Sequence, residues 1–218
     1  MTQQQAAAEY PVKLHLEPAT GERNKLTIGF RWILAIPHAI LVGGPAITGA
    51  GFYFGGRDWW ASWGGGGLLG AVAFICAVIC WFAILFANQH PRGLFDLCHF
   101  YLRWRVRAVA YMALFRDEYP PFGDGEYAAT IEIPFPEGER DKLSVGLRIF
   151  YVIPHAIILF FLSIAWFVTG VIAWFALLFN GVYPEGLLKF GIGVMRWSIR
   201  VEAYALLMTD VYPPFSLD

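Results

Sequence analysis

One apolar stretch occurs twice in this chain, and that repetition limits what the chain can fold into more than any other feature. Residues 26–41 read LTIGFRWILAIPHAIL, and residues 143–158 read LSVGLRIFYVIPHAII. Gly29, Arg31, Ile36, Pro37, His38, Ala39 and Ile40 return 117 positions later as Gly146, Arg148, Ile153, Pro154, His155, Ala156 and Ile157. Each copy opens a long apolar segment, so the sequence reads as a duplicated membrane unit. Composition agrees, with 57% of the 218 residues apolar and 15% charged, against about 45–50% apolar in a soluble domain. Residues 1–9 are polar, without a basic start or an apolar run. They do not read as a signal peptide, and the first apolar segment is expected to direct insertion. Cys76 and Cys80 stand four apart on one apolar helix, with Cys98 further along. That spacing makes no disulfide framework, and all three are expected as small buried side chains.

Residues 10–17 (YPVKLHLE) set Val12, Leu14 and Leu16 against Lys13, His15 and Glu17, the alternation of a half-buried strand. The second copy sets Ala129, Ile131 and Ile133 against Thr130 and Glu132. A lone strand leaves its backbone unpaired, so the two are expected to pair with each other outside the bilayer. Residues 26–54 follow, apolar apart from Arg31 and His38, and then a glycine loop over 55–67 with Trp59, Trp60 and Trp63. Tryptophans placed there suit the headgroup level. Residues 68–87 carry no charge and are long enough to cross ~30 Å of hydrocarbon.

From Trp81 onward the offset between copies falls from 117 to 93, so copy one carries 24 extra residues around its glycine loop. Residues 143–179 of copy two are almost unbroken apolar sequence. As one helix they would reach about 55 Å at 1.5 Å per residue, so a tight hairpin turning near 162–166 is expected. A shared segment closes each copy. It carries Arg103, Trp104, Arg107 and Tyr111 in copy one and Arg196, Trp197, Arg200 and Tyr204 in copy two, followed by Asp-x-Tyr-Pro-Pro-Phe at 117–122 and 210–215. Each mid-span arginine would cost on the order of 2.5–3.5 kcal/mol, so these segments are expected as amphipathic helices in the interface, arginines toward phosphates.

Of the 16 Lys and Arg, only Arg57 falls in a loop between the spans of a hairpin, which by the positive-inside rule puts the rest in the cytoplasm. The expected fold is a mainly α integral membrane protein with four transmembrane helices arranged as two tandem helical hairpins. Each hairpin has an N-terminal β-strand and a C-terminal interfacial helix, in units 10–122 and 127–215. The pseudo-twofold axis is expected along the membrane normal, with both termini cytoplasmic.

The Ile-Pro-His start, Trp-Phe-Ala-x-Leu-Phe at 81–86 and 174–179, Pro-x-Gly-Leu at 91–94 and 184–187, Arg-Trp-x-x-Arg-x-x-Ala-Tyr and Tyr-Pro-Pro-Phe together carry a resemblance. The chain resembles the bacterial membrane-protein family known only as a domain of unknown function (number 4389), over both halves. The resemblance implies a bacterial cytoplasmic membrane and supplies no catalytic residues. Copy one departs from copy two in its glycine loop, in its additional Arg105, and in Asp96 where copy two has Lys189.

His38 and His155 are duplicated polar groups inside apolar helices. Each proline frees the carbonyl four residues upstream, so a histidine could serve backbone or a neighbouring helix at a kink. Alternatively, Arg31 with His38 and Arg148 with His155, each pair seven apart, share a helix face. Two such faces meeting at the pseudo-twofold axis could hold an anionic headgroup or phosphate, as in a small transporter or lipid-handling protein, or two histidines could ligate a haem or pigment. No metal-ligand set, catalytic triad or phosphate loop is present in the sequence, and no cofactor is expected. The leading expectation is a non-enzymatic scaffold or accessory subunit. It would bind anionic lipid or a partner protein, or form a homo-oligomer, through its interfacial helices, and would not bind nucleic acid.

Overall fold

Asn24 and Asp141 hold the same place in the two copies and start the same helix. The Asn24 side-chain oxygen accepts from the N–H groups of Leu26 and Thr27, and that of Asp141 from Leu143 and Ser144, satisfying donors that no helical carbonyl reaches. In this computed structural model, which describes residues 10–20, 23–45 and 66–218, the elements run β1 (Lys13–Leu16), α1 (Lys25–Leu34), α2 (Ile36–Val42), α3 (Gly67–Ala87), α4 (Arg92–Met112), β2 (Ala129–Glu132), α5 (Lys142–Gly146), α6 (Arg148–Asn180) and α7 (Glu185–Ala205). Most of the expected glycine loop, with Trp59, Trp60 and Trp63, lies outside the described residues.

The fold is mainly helical. α3 and α6 are long and apolar enough to cross a membrane, and α1 with α2, bent by 42° at Ala35, makes a third candidate if the pair is one span. The expected hairpin turn near 162–166 is absent, because α6 is one continuous helix of 33 residues, about 50 Å long. Its middle, 159–169, contains neither glycine nor proline. Ser163 and Thr169 turn their hydroxyls back onto the Phe160 and Trp166 carbonyls, so the helix continues through the place where a turn was expected. In copy one the equivalent helix is α2 followed by α3, with the extra residues inserted between them. The N-terminus of α3 abuts the C-terminus of α2. A Cβ on Gly67, at φ +66, would lie 2.5 Å from the Ile40 carbonyl oxygen, so only glycine fits that junction.

β1 and β2 pair antiparallel as expected, with Leu14 opposite Ile131. Those two are repeat equivalents, so the pseudo-twofold axis passes between them. The axis also exchanges two matched contacts, since Trp81 Nε1 donates to the Val145 carbonyl and Trp174 Nε1 to the Ile28 carbonyl, both at 3.0 Å. The start of each copy's apolar helix thus lies beside the end of the other's. The long helices run in opposite directions and the axis lies across them, which corrects the expectation of an axis running parallel to the helices.

A second correction concerns α4 and α7. They form the interior of the protein and not an amphipathic collar. From Tyr101 to Met112 every residue of α4 is buried except Arg103, which is half-buried, and α7 is covered in the same way from Val194 to Tyr204 except at Arg196, Arg200 and Glu202. α4 has α2 and α3 on one side and β2 on the other. Its arginines can be internal because each meets a carboxylate or carbonyl in the fold. Cys76, Cys80 and Cys98 are free and buried.

Candidate functional site

Each copy builds a polar cage where its apolar helix begins and its last helix ends. After α4 and α7 the backbone turns through left-handed residues, Leu114 (φ 66) and Leu207 (φ 63), an uncommon conformation for a side chain with a Cβ. Arginines from the connector before the apolar helix clasp these turns. Arg23 Nη2 donates to the Leu114 carbonyl at 2.7 Å and to Asp117 Oδ1 at 2.8 Å. Arg140 Nη2 donates to the Leu207 carbonyl at 2.8 Å and to Asp210 Oδ1 at 2.7 Å. The helix arginines complete the cages. Arg31 donates to the carbonyls of Tyr111 and Arg116 and to Asp117, and Arg148 to the carbonyls of Tyr204 and Thr209 and to Asp210. Each guanidinium also stacks over a tyrosine, Arg31 at 4.3 Å from the Tyr111 ring and Arg148 at 4.1 Å from that of Tyr204, a favourable cation–π placement. Burial works to raise the Asp117 and Asp210 carboxyls, but two arginines apiece outweigh it and hold both below the usual carboxylate range.

The histidines sit one step further along the helix in a matched aromatic setting. His38 stacks on Phe122 at 4.5 Å and His155 on Phe215 at 4.0 Å. Trp104 Nε1 donates to His38 Nδ1 at 3.0 Å, and Trp197 Nε1 to His155 Nδ1 at 3.1 Å. An indole N–H can only donate, so each Nδ1 is the lone-pair nitrogen and each proton resides on Nε2. A protonated Nε2 has no lone pair for a metal, and the haem or pigment reading of these histidines does not fit this donor set.

Arg31, His38, Arg148 and His155 are between 0% and 2% exposed, and each Arg/His pair is sealed within its own copy. The expected meeting of the two pairs at the axis does not occur, because each faces the last helix of its own copy. A family model described as Domain of unknown function (DUF4389) matches residues 65–123 and 142–216. The chain belongs to that family. Each matched segment ends with an Asp-x-Tyr-Pro-Pro-Phe turn that supplies the cage carboxylate and the ring under the histidine. No curated protein and no solved structure matches the chain.

Of the residues expected at the interface, Trp104, Arg107, Tyr111, Trp197 and Tyr204 are buried, the two indoles spent on the histidines. Arg103, Arg196 and Arg200 remain at the periphery. Arg103 pairs with Asp124 at 2.8 Å, Arg107 donates to the Gly123 carbonyl, Arg196 to that of Leu217 and Arg200 to that of Asp218. Lys189 pairs with Glu185 one turn away. Sequence reasoning missed Arg23, Arg140, Asp117 and Asp210 as site residues. The signal was present, since each is identical in the other copy at the repeat offset.

The two copies also clasp each other through this region. His90, at the corner between α3 and α4, faces the Arg140 guanidinium with its Nδ1 at 2.9 Å. Burial and the Arg140 charge push the His90 imidazole down to about 4. The unfolded chain takes up that proton near pH 6.5, so the clasp contributes fully above that pH and its contribution is lost as pH falls toward 4. Because His90 is partly solvated, the expected loss is about 1–2 kcal/mol. Thermal melts of the detergent-solubilised protein between pH 7.5 and 4.5 check this, with His90→Gln flattening the profile in that window.

Proposed function

We propose that this protein is a non-enzymatic scaffold or accessory subunit of the bacterial inner membrane. It holds anionic lipid or a partner membrane protein through the peripheral Arg103, Arg196 and Arg200. The observation that carries this reading is where polarity is spent. Arg23, Arg31, Arg140 and Arg148 are consumed by internal carboxylates and carbonyls. The outward face of α6, by contrast, is apolar along its length, including Phe150, Ile157, Phe161, Phe167, Ile172 and Phe179. A body whose buried charges are paired inside it and whose flanks are apolar suits hydrocarbon or another membrane protein. Burial of the cage side chains favours this reading over a solute carrier that would use them. The test is native mass spectrometry of wild type beside a variant with these three arginines changed to alanine. Loss of bound anionic lipid or of a co-purifying partner is expected. Unchanged retention of both would remove these arginines from any such role.

A further inference from the structure

We infer that the two long apolar helices do not cross the bilayer but lie in its plane, seating the protein in a single leaflet with its β-strand pair facing the aqueous side. The inference rests on the membrane reading above and concerns orientation within it. Its basis is the order of layers. α2 and α3 pack on one side of α4 and β2 on the opposite side. Tyr101 and Arg105 of α4 face the α2–α3 junction, Tyr101 against Gly70 and Arg105 on the Val42 carbonyl. His99, on the other side of the same helix, meets the Ile131 carbonyl in the strand pair at 3.3 Å. The strand pair therefore sits over the middle of the long helices and not at either end.

Helices crossing along the membrane normal would carry that two-stranded ribbon to mid-bilayer depth. Its edges, which no further strand covers among the described residues, and its exposed His15, Glu17 and Glu132 would meet lipid there, where open sheet edges are not tolerated and ionised groups are costly. Laid flat, the same molecule separates cleanly. Large exposed apolar side chains line α1, α2, α3 and α6, and charged side chains occupy the strand layer and the connectors. A helix about 10–12 Å across fits within one leaflet, whose hydrocarbon is about half of the ~30 Å core. The pseudo-twofold axis then runs along the membrane normal after all, while the helices it relates lie perpendicular to it. Arg103, one turn from His99 and on the strand side of α4, falls at headgroup level together with its counterpart Arg196.

The experiment is labelling of the full chain in sealed inverted and right-side-out membrane vesicles with an impermeant maleimide. Single cysteines go at Lys25→Cys and Val182→Cys, at one end of the long helices, and at Gln89→Cys and Lys142→Cys, at the other. All four positions are exposed, and the three native cysteines are buried, so unsubstituted protein is the blank. All four sites are expected to react from the cytoplasmic face alone. Reaction of the two ends from opposite faces would overturn the in-plane orientation and leave a membrane-crossing protein. Release of the protein into the supernatant at alkaline pH would instead remove the membrane reading itself.

Discussion

Asp210→Ala is expected to be the most damaging single substitution in copy two. The carboxylate answers two guanidiniums whose side chains are only 2% and 3% exposed, those of Arg140 and Arg148. Removing it leaves both charges inside the protein with no counter-ion, held only by carbonyls, the His90 ring and the Tyr204 face. Breaking a buried ion pair from one side costs on the order of 3–5 kcal/mol, and here two cations are stranded together. The cost spreads further, because Arg140 also holds the Leu207 carbonyl and faces His90, so the left-handed turn and the clasp between copies lose a support each. Denaturant or thermal unfolding in detergent measures the effect. Asp210→Asn should recover part of it by keeping an acceptor in place. If the two substitutions cost the same small amount, the cage is not an electrostatic unit. Asp117→Ala should behave alike in copy one, where Arg23 and Arg31 converge on the same carboxylate.

Arg105→Ser is expected to approach the same size, although serine is what copy two carries at the equivalent position, Ser198. The difference lies in what each residue has to satisfy. Arg105 Nη1 donates to the Val42 carbonyl at 2.6 Å and Nε to Glu202 at 2.9 Å, while Tyr101 donates to the other oxygen of Glu202 at 2.7 Å. Val42 ends α2, so its carbonyl has lost the helical donor that would come four residues later. Its counterpart in copy two is Leu159, inside the continuous α6, where the helix supplies that donor and no arginine is required. With serine at 105, the carbonyl is orphaned and the Glu202 charge loses its cation, about 3–5 kcal/mol in total. Adding Glu202→Gln should restore a measurable part of the melting temperature, since it removes the unpaired charge. Additive losses in the double variant would show that the two side chains act independently.

Much of the architecture was legible as pattern. The repeat offset fixed which residues would be equivalent, and the alternation at 10–17 and 127–133 foretold two strands that needed each other. Periodicity did not say whether 143–179 would turn. A hairpin and a single helix are both consistent with unbroken apolar sequence, and the choice fell to the middle of α6, 159–169, which holds neither glycine nor proline. The misplacement of α4 and α7 has a related cause. An arginine-bearing helix reads as interfacial when its partners are unknown, and those partners come from segments 16 to 97 positions away.

The sequence by itself determined that this protein is a duplicated, apolar-helical member of its family, because composition and repetition are properties of the chain alone. Only the tertiary structure decided that the copies pack start against end, that the tryptophans expected at the surface turn inward to fix the histidine tautomers, and that a charged strand pair lies over the middle of the long helices. Each of these depends on which distant carboxylate, carbonyl or ring a polar group meets, and distance in space is not encoded by spacing along the chain.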